Sequence, residues 1–105
     1  MIITNLTPHD INVVLEDGST ETFYRSGTIA RVAQKQAKRF VKDGIVFYDS
    51  SFGEVQDLPP EAADTIYIVS SIVKSAAPER KDLVVPCNFV RNEAGQITGA
   101  GGLSF

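Results

Sequence analysis

Apolar and polar positions alternate with period two over residues 11–16. Ile11, Val13 and Leu15 share one side of an extended segment, with Asn12, Val14 and Glu16 on the other. Asp17-Gly18 follows at once, and a glycine accepts the positive φ that a tight hairpin requires. Thr20, Thr22, Phe23 and Tyr24 then resume a strand-forming run up to Ser26-Gly27, so the pattern predicts a hairpin. Upstream, Ile2, Ile3 and Leu6 lead into Thr7-Pro8, where proline drives the preceding residue into an extended conformation. Downstream, Thr65–Val69 has the β-branched and aromatic composition of a buried strand. Ser70 or Ser71 can cap a short helix over Ile72–Ala77, which Pro78 would end. Leu83–Val85 reads as a second short strand stopped by Pro86. Phe89–Arg91 and Gln96–Thr98 form a closing hairpin around Asn92–Gly95. The glycine-rich tail, Gly99–Phe105, leaves Leu103 and Phe105 available for packing.

Residues 28–53 fit two patterns. Ile29, Val32, Ala33, Ala37, Phe40 and Val41 fall near helical spacing. The same residues also suit a long twisted ribbon that turns at Lys42-Asp43-Gly44 into Ile45–Tyr48, and the Asp-Gly step favours that ribbon. Asp57–Asp64, with Pro59-Pro60, reads as a loop. Without a repeat, a linker or a low-complexity run, residues 1–105 are expected to form a single compact domain. Its class is α+β, mainly antiparallel β-sheet with one or two short helices.

Composition narrows the function without choosing it. The chain is 43% hydrophobic and 22% charged, too apolar for disorder. Its net charge of −3 argues against a general nucleic-acid or anionic-membrane binder. One cysteine excludes an internal disulfide framework, and one histidine excludes the usual zinc constellations, so no metal or cofactor is expected. Met1–Leu6 lacks a basic leader, and runs such as Ile66–Val69 are far too short to span a bilayer. A cytoplasmic protein with reduced Cys87 is expected.

Catalytic templates are missing: the chain has no nucleophile elbow, phosphate-binding loop or dinucleotide-binding glycine pattern. A Cys87–His9 dyad needs the two to meet in space, whereas a cysteine beside a proline more often packs as a small hydrophobe. The pairs Glu16/Asp17 and Glu61/Asp64 fall in turns, open to solvent. Arg31, Lys35, Lys38, Arg39 and Lys42, with Phe40 among them, suit either a single-stranded nucleic acid or a solvated face. Arg80 and Arg91 flank Leu83–Val85 and offer planar donor forks suited to phosphate or carboxylate. Tyr67 or Phe89 can stack on a base. Alternatively, Arg80 pairs locally with Asp82, and Arg91 with Glu93.

Three stretches of the chain together resemble a family of small phage and prophage proteins: Asn5-Leu6-Thr7-Pro8-His9-Asp10, Tyr67-Ile68-Val69-Ser70, and Arg80-x-Asp82-Leu83-Val84-x-Pro86 with Val90-Arg91 and Gly95. Among phage proteins of this size, the chain is similar in style to the anti-Thoeris sponge proteins, which bind cyclic ADP-ribose-type signals and withhold them from a host defence effector. That resemblance implies a non-enzymatic homo-oligomer that sequesters a nucleotide. Arg80 and Arg91 would grip the pyrophosphate, Tyr67 or Phe89 would stack on adenine, and Asn88 or Asn5 would add polar contacts. The other readings are an inhibitor that docks directly on a host defence protein and an accessory virion protein.

Overall fold

The computed structural model describes residues 1–105. Eight strands and one helix follow in the order β1 (Ile2–Asn5), β2 (Ile11–Val14), β3 (Thr20–Phe23), β4 (Arg31–Lys42), β5 (Ile45–Gln56), β6 (Thr65–Ile68), α1 (Ser71–Ala76), β7 (Leu83–Arg91) and β8 (Ile97–Ser104). Six of them form one sheet, ordered β1-β6-β7-β8-β2-β3, and β4 and β5 form a separate two-stranded ribbon. The architecture is α+β and mainly β, as the sequence pattern predicts.

The antiparallel pairs β2–β3, β4–β5 and β7–β8 carry most of the paired residues. Shorter parallel contacts join β1 to β6, β6 to β7 and β2 to β8. The sheet's outer strands approach each other at one end. Asn5, at the end of β1, bridges to Arg25 just beyond β3, and its carbonyl accepts from the Ser26 N–H at 3.0 Å.

Helix α1 connects the parallel strands β6 and β7. Ser70 caps it in an extended conformation, its hydroxyl accepting from the Val73 N–H at 3.4 Å. The main core consists of Leu6, Ala30, Tyr67, Val69, Val73, Ala77 and Leu83. Val32 and Val55, at the root of the ribbon, pack against this cluster.

Two segments depart from the sequence pattern. β7 continues through Pro86 to Arg91 instead of stopping at the proline. Its register with β6 ends at Ile68–Val84, which leaves that edge unpaired from Val85 onward, and an edge tolerates a residue lacking an N–H. The glycine-rich tail is not loose chain. It is β8, an interior strand of the sheet between β7 and β2. Glycine is needed there for close approach. A Cβ on Gly99 would stand 3.0 Å from the Asn12 carbonyl oxygen, and one on Gly101 would stand 3.0 Å from that of Asn88.

Residues 28–53 resolve as ribbon. Asp43 and Gly44 both take positive φ, 54° and 76°, as a two-residue hairpin turn demands. Beyond its root the ribbon leaves the body of the protein. Every residue from Ala33 to Phe52 is exposed to solvent.

Candidate functional site

The sequence singles out six ligand-binding residues, and the structure gives three of them internal work. Asn5 is 2% exposed, and its amide is fully occupied. Its Nδ2 donates to the carbonyls of His9 (2.7 Å) and Phe23 (2.8 Å), while its Oδ1 accepts from the Thr7 N–H (2.9 Å) and hydroxyl (2.7 Å). Asn5-x-Thr7-x-His9 is thus a turn-fixing motif, with no polar group left over for a ligand. Tyr67 is 6% exposed and belongs to the core, its hydroxyl donating to the Pro60 carbonyl at 3.3 Å. A ring buried in this way cannot serve as a stacking platform for a base.

Arg80 forms a bidentate pair with Asp82, Nε to Oδ1 at 2.9 Å and Nη2 to Oδ2 at 2.8 Å, and Glu61 lies 3.5 Å from Nε. These hydrogen bonds hold the Asp82 carboxyl below the usual carboxylate range and raise the Arg80 guanidinium further above its own. The local pairing suggested by the Arg80-x-Asp82 spacing is present, so most of the Arg80 charge is balanced within the chain.

Arg91, Phe89 and Asn88 are exposed near the far end of β7. Arg91 Nη1 donates to the Gly95 carbonyl at 2.9 Å, across the closing hairpin, and forms no ion pair with Glu93. Asn88 takes a positive φ of 52° within β7. Phe89 is 53% exposed and borders a shallow concavity of about 160 Å³ with Pro86, Ile97, Asp10 and Asn12. Leu83 and Arg91 are eight residue steps apart, roughly 26 Å at the usual strand rise. A single chain therefore does not bring Arg80 and Arg91 onto one pyrophosphate.

A second and larger concavity, about 460 Å³, lies at the near end of β7. It is lined by Lys74, Pro78, Arg80, Lys81, Leu83 and Phe105. Lys74 comes from α1, and Lys81 from the loop between α1 and β7. Phe105 arrives there because β8 runs back along β7, pairing Ser104 with Val85. Neither Lys74 nor Lys81 forms an ion pair, so two uncompensated cations and a 68%-exposed aromatic ring face the same space. Lys74, Lys81 and Phe105 escaped the sequence reading. The Arg80-Lys81 step was a visible signal, but only the β7–β8 register brings Phe105 beside it.

The remaining candidates do not assemble. Cys87 is half-buried in β7 and His9 is exposed before β2, with no hydrogen bond between them. No group of three or more metal-ligating side chains is present, and no helix is long and apolar enough to cross a membrane. Comparison with protein-family models, curated proteins and solved structures finds no match for this chain.

Proposed function

We propose that this chain is a non-enzymatic phage anti-defence protein that binds and sequesters a small anionic nucleotide signal, such as a cyclic ADP-ribose isomer, in the cytoplasm of the host. The observation that carries this reading is the cationic concavity at the near end of β7. Lys74 and Lys81 supply unpaired positive charge for a phosphate, and Arg80 is held rigid beside them by Asp82. Phe105 offers an exposed ring to a base. A binding protein needs no group poised for proton transfer or nucleophilic attack. The motif resemblance to small phage proteins supplies the biological setting.

Isothermal titration with cyclic ADP-ribose isomers and other cyclic nucleotides tests the proposal. One ligand per chain is expected. The double variant Lys74→Ala/Lys81→Ala should weaken binding at least tenfold, since charge-assisted bonds to phosphate each contribute about 1.5–3 kcal/mol. Loss of binding in Arg91→Ala with retention in the double variant would move the site to the Phe89 concavity. A wild-type protein that ignores every nucleotide would remove the proposal. The exposed apolar ribbon favours a second reading, a protein-binding inhibitor, which capture of a host defence protein by a nucleotide-blind chain would support.

A further inference from the structure

The ribbon is too exposed and too apolar to be a finished surface. A compact chain of 11.4 kDa exposes about 5,800 Å², whereas this one exposes 7246 Å², an excess of about 1,500 Å². Its radius of gyration is 16.8 Å against about 13 Å for a compact domain of this length. The ribbon, exposed at every residue from Ala33 to Phe52, contributes to that difference. Stable obligate dimers bury about 1,000–2,500 Å² per chain, a range that includes the excess.

The register shows which side chains present that area. Phe40 faces Phe47 across the strands, with ring centroids 4.8 Å apart, and Lys42 faces Ile45 on the same side. Val41 pairs with Val46 on the opposite side, and Tyr48 shares that side because strand residues alternate. Both faces of the tip are therefore apolar. Phe40, Val41, Ile45, Val46, Phe47 and Tyr48 are between 38% and 58% exposed. A lone two-stranded hairpin is marginal in water unless another element packs against it, and at this tip neither face is covered.

Charge points to the kind of surface that would cover it. Residues 31–56 hold five of the ten cationic side chains and three of the thirteen acids, while the rest of the chain holds five cations and ten acids. The ribbon is positive and the body it projects from is negative. The five cations on β4 are Arg31, Lys35, Lys38, Arg39 and Lys42, of which only Arg39 has a partner, Asp49 at 3.5 Å. A body of this composition is what a cationic, apolar arm fits, and a second copy supplies one.

We propose that the β4–β5 ribbon is a self-association arm, docking its apolar tip and β4 cations on the acidic body of a second copy. Reciprocal docking makes a two-fold dimer in which each arm lies on the partner's body. The assembly needs no nucleotide, so its test is independent of the binding site proposed above.

Sedimentation equilibrium of the full chain without nucleotide, from low to high micromolar, is expected to give twice the chain mass of 11.4 kDa. Phe40→Ser/Phe47→Ser should raise the dimer Kd about 30-fold or more, the cost of losing interface hot spots. Circular dichroism and urea unfolding would show whether the body remains folded. Lys35→Glu/Lys38→Glu/Lys42→Glu keeps the apolar tip and should also weaken the dimer, most strongly at low salt. If the phenylalanine variant fails to fold, the lysine variant decides. A monomeric wild type overturns the proposal, as does a folded variant of either kind that dimerises as tightly as wild type.

Discussion

The body and the ribbon of this protein are built from similar residues under opposite conditions. Strands β6 and β7 are short where they meet, yet Ile68, Leu83 and Val84 are at most 2% exposed: β6 and β7 lie inside the sheet between β1 and β8, and Leu83 also packs in the core that α1 covers. The ribbon pairs its strands over twelve residues each and buries almost nothing beyond Val32 and Val55. Backbone pairing alone therefore does not make an interior. What differs is a second packed layer, which the body supplies for itself and the ribbon lacks within one chain. The same contrast separates the arginines. Arg80 sits against the body, satisfied by Asp82, while Arg91 projects from the open end of β7 with one bond to the Gly95 carbonyl.

The sharpest way to break this contrast is a matched pair of truncations. Ile68→Ala should cost about 3 kcal/mol in urea unfolding, because it empties a closed core position. At low protein concentration, Phe47→Ala should cost less than about 0.5 kcal/mol, as expected of a surface position. Equal costs would mean that the ribbon tip is part of the same folded core.

Asn5→Ala comes next, at about 2–3 kcal/mol. It strips the partner from the Thr7 N–H and the Asn5 donor from the carbonyls of Phe23 and His9, the latter keeping only the Thr7 hydroxyl, at the point where the outer strands meet. Urea unfolding of the variant checks it. A value below 1 kcal/mol would show that water replaces the amide there and that the motif is not structural.

A smaller effect, about 2 kcal/mol, is expected for Asp82→Asn, between that of an exposed ion pair and that of a fully buried one. This pair also predicts a pH dependence. Hydrogen bonds from Arg80 lower the folded-state pKa of Asp82 below its unfolded value of about 4. The stabilisation is therefore fully present above about pH 4 and is lost as pH falls through the folded value. Unfolding midpoints measured from pH 6 downward should decline less steeply in Asp82→Asn than in wild type. Parallel declines would assign the acid sensitivity to other carboxylates.

Much of the fold was legible because local chemistry and tertiary structure agree. Asp17-Gly18, Ser70 as a helix cap and the Asn92–Gly95 turn all appear where their side chains and glycines demand. β8 was hidden because Gly99 and Gly101 have little intrinsic strand preference; they are there to admit the backbones of β2 and β7. Pro86 misled for a related reason, since only the pairing pattern reveals that β6 ends beside Val84. The site was less legible still. Tyr67, Asn5 and Arg80 have the chemistry of ligand contacts, but burial and internal bonding, which no spacing encodes, commit them to the fold. Phe105 joins Lys74 and Lys81 only through the long return of β8.

The most direct measurement of the contrast between a self-sufficient body and a dependent ribbon is amide hydrogen exchange at several protein concentrations. Protection of residues 33–52 is predicted to rise with concentration as the arm docks on a second copy, while protection of β6 and β7 around Ile68 and Val84 stays constant. Ribbon protection that is strong and independent of concentration down to the most dilute sample would contradict the account, because the ribbon would then be stable without a partner.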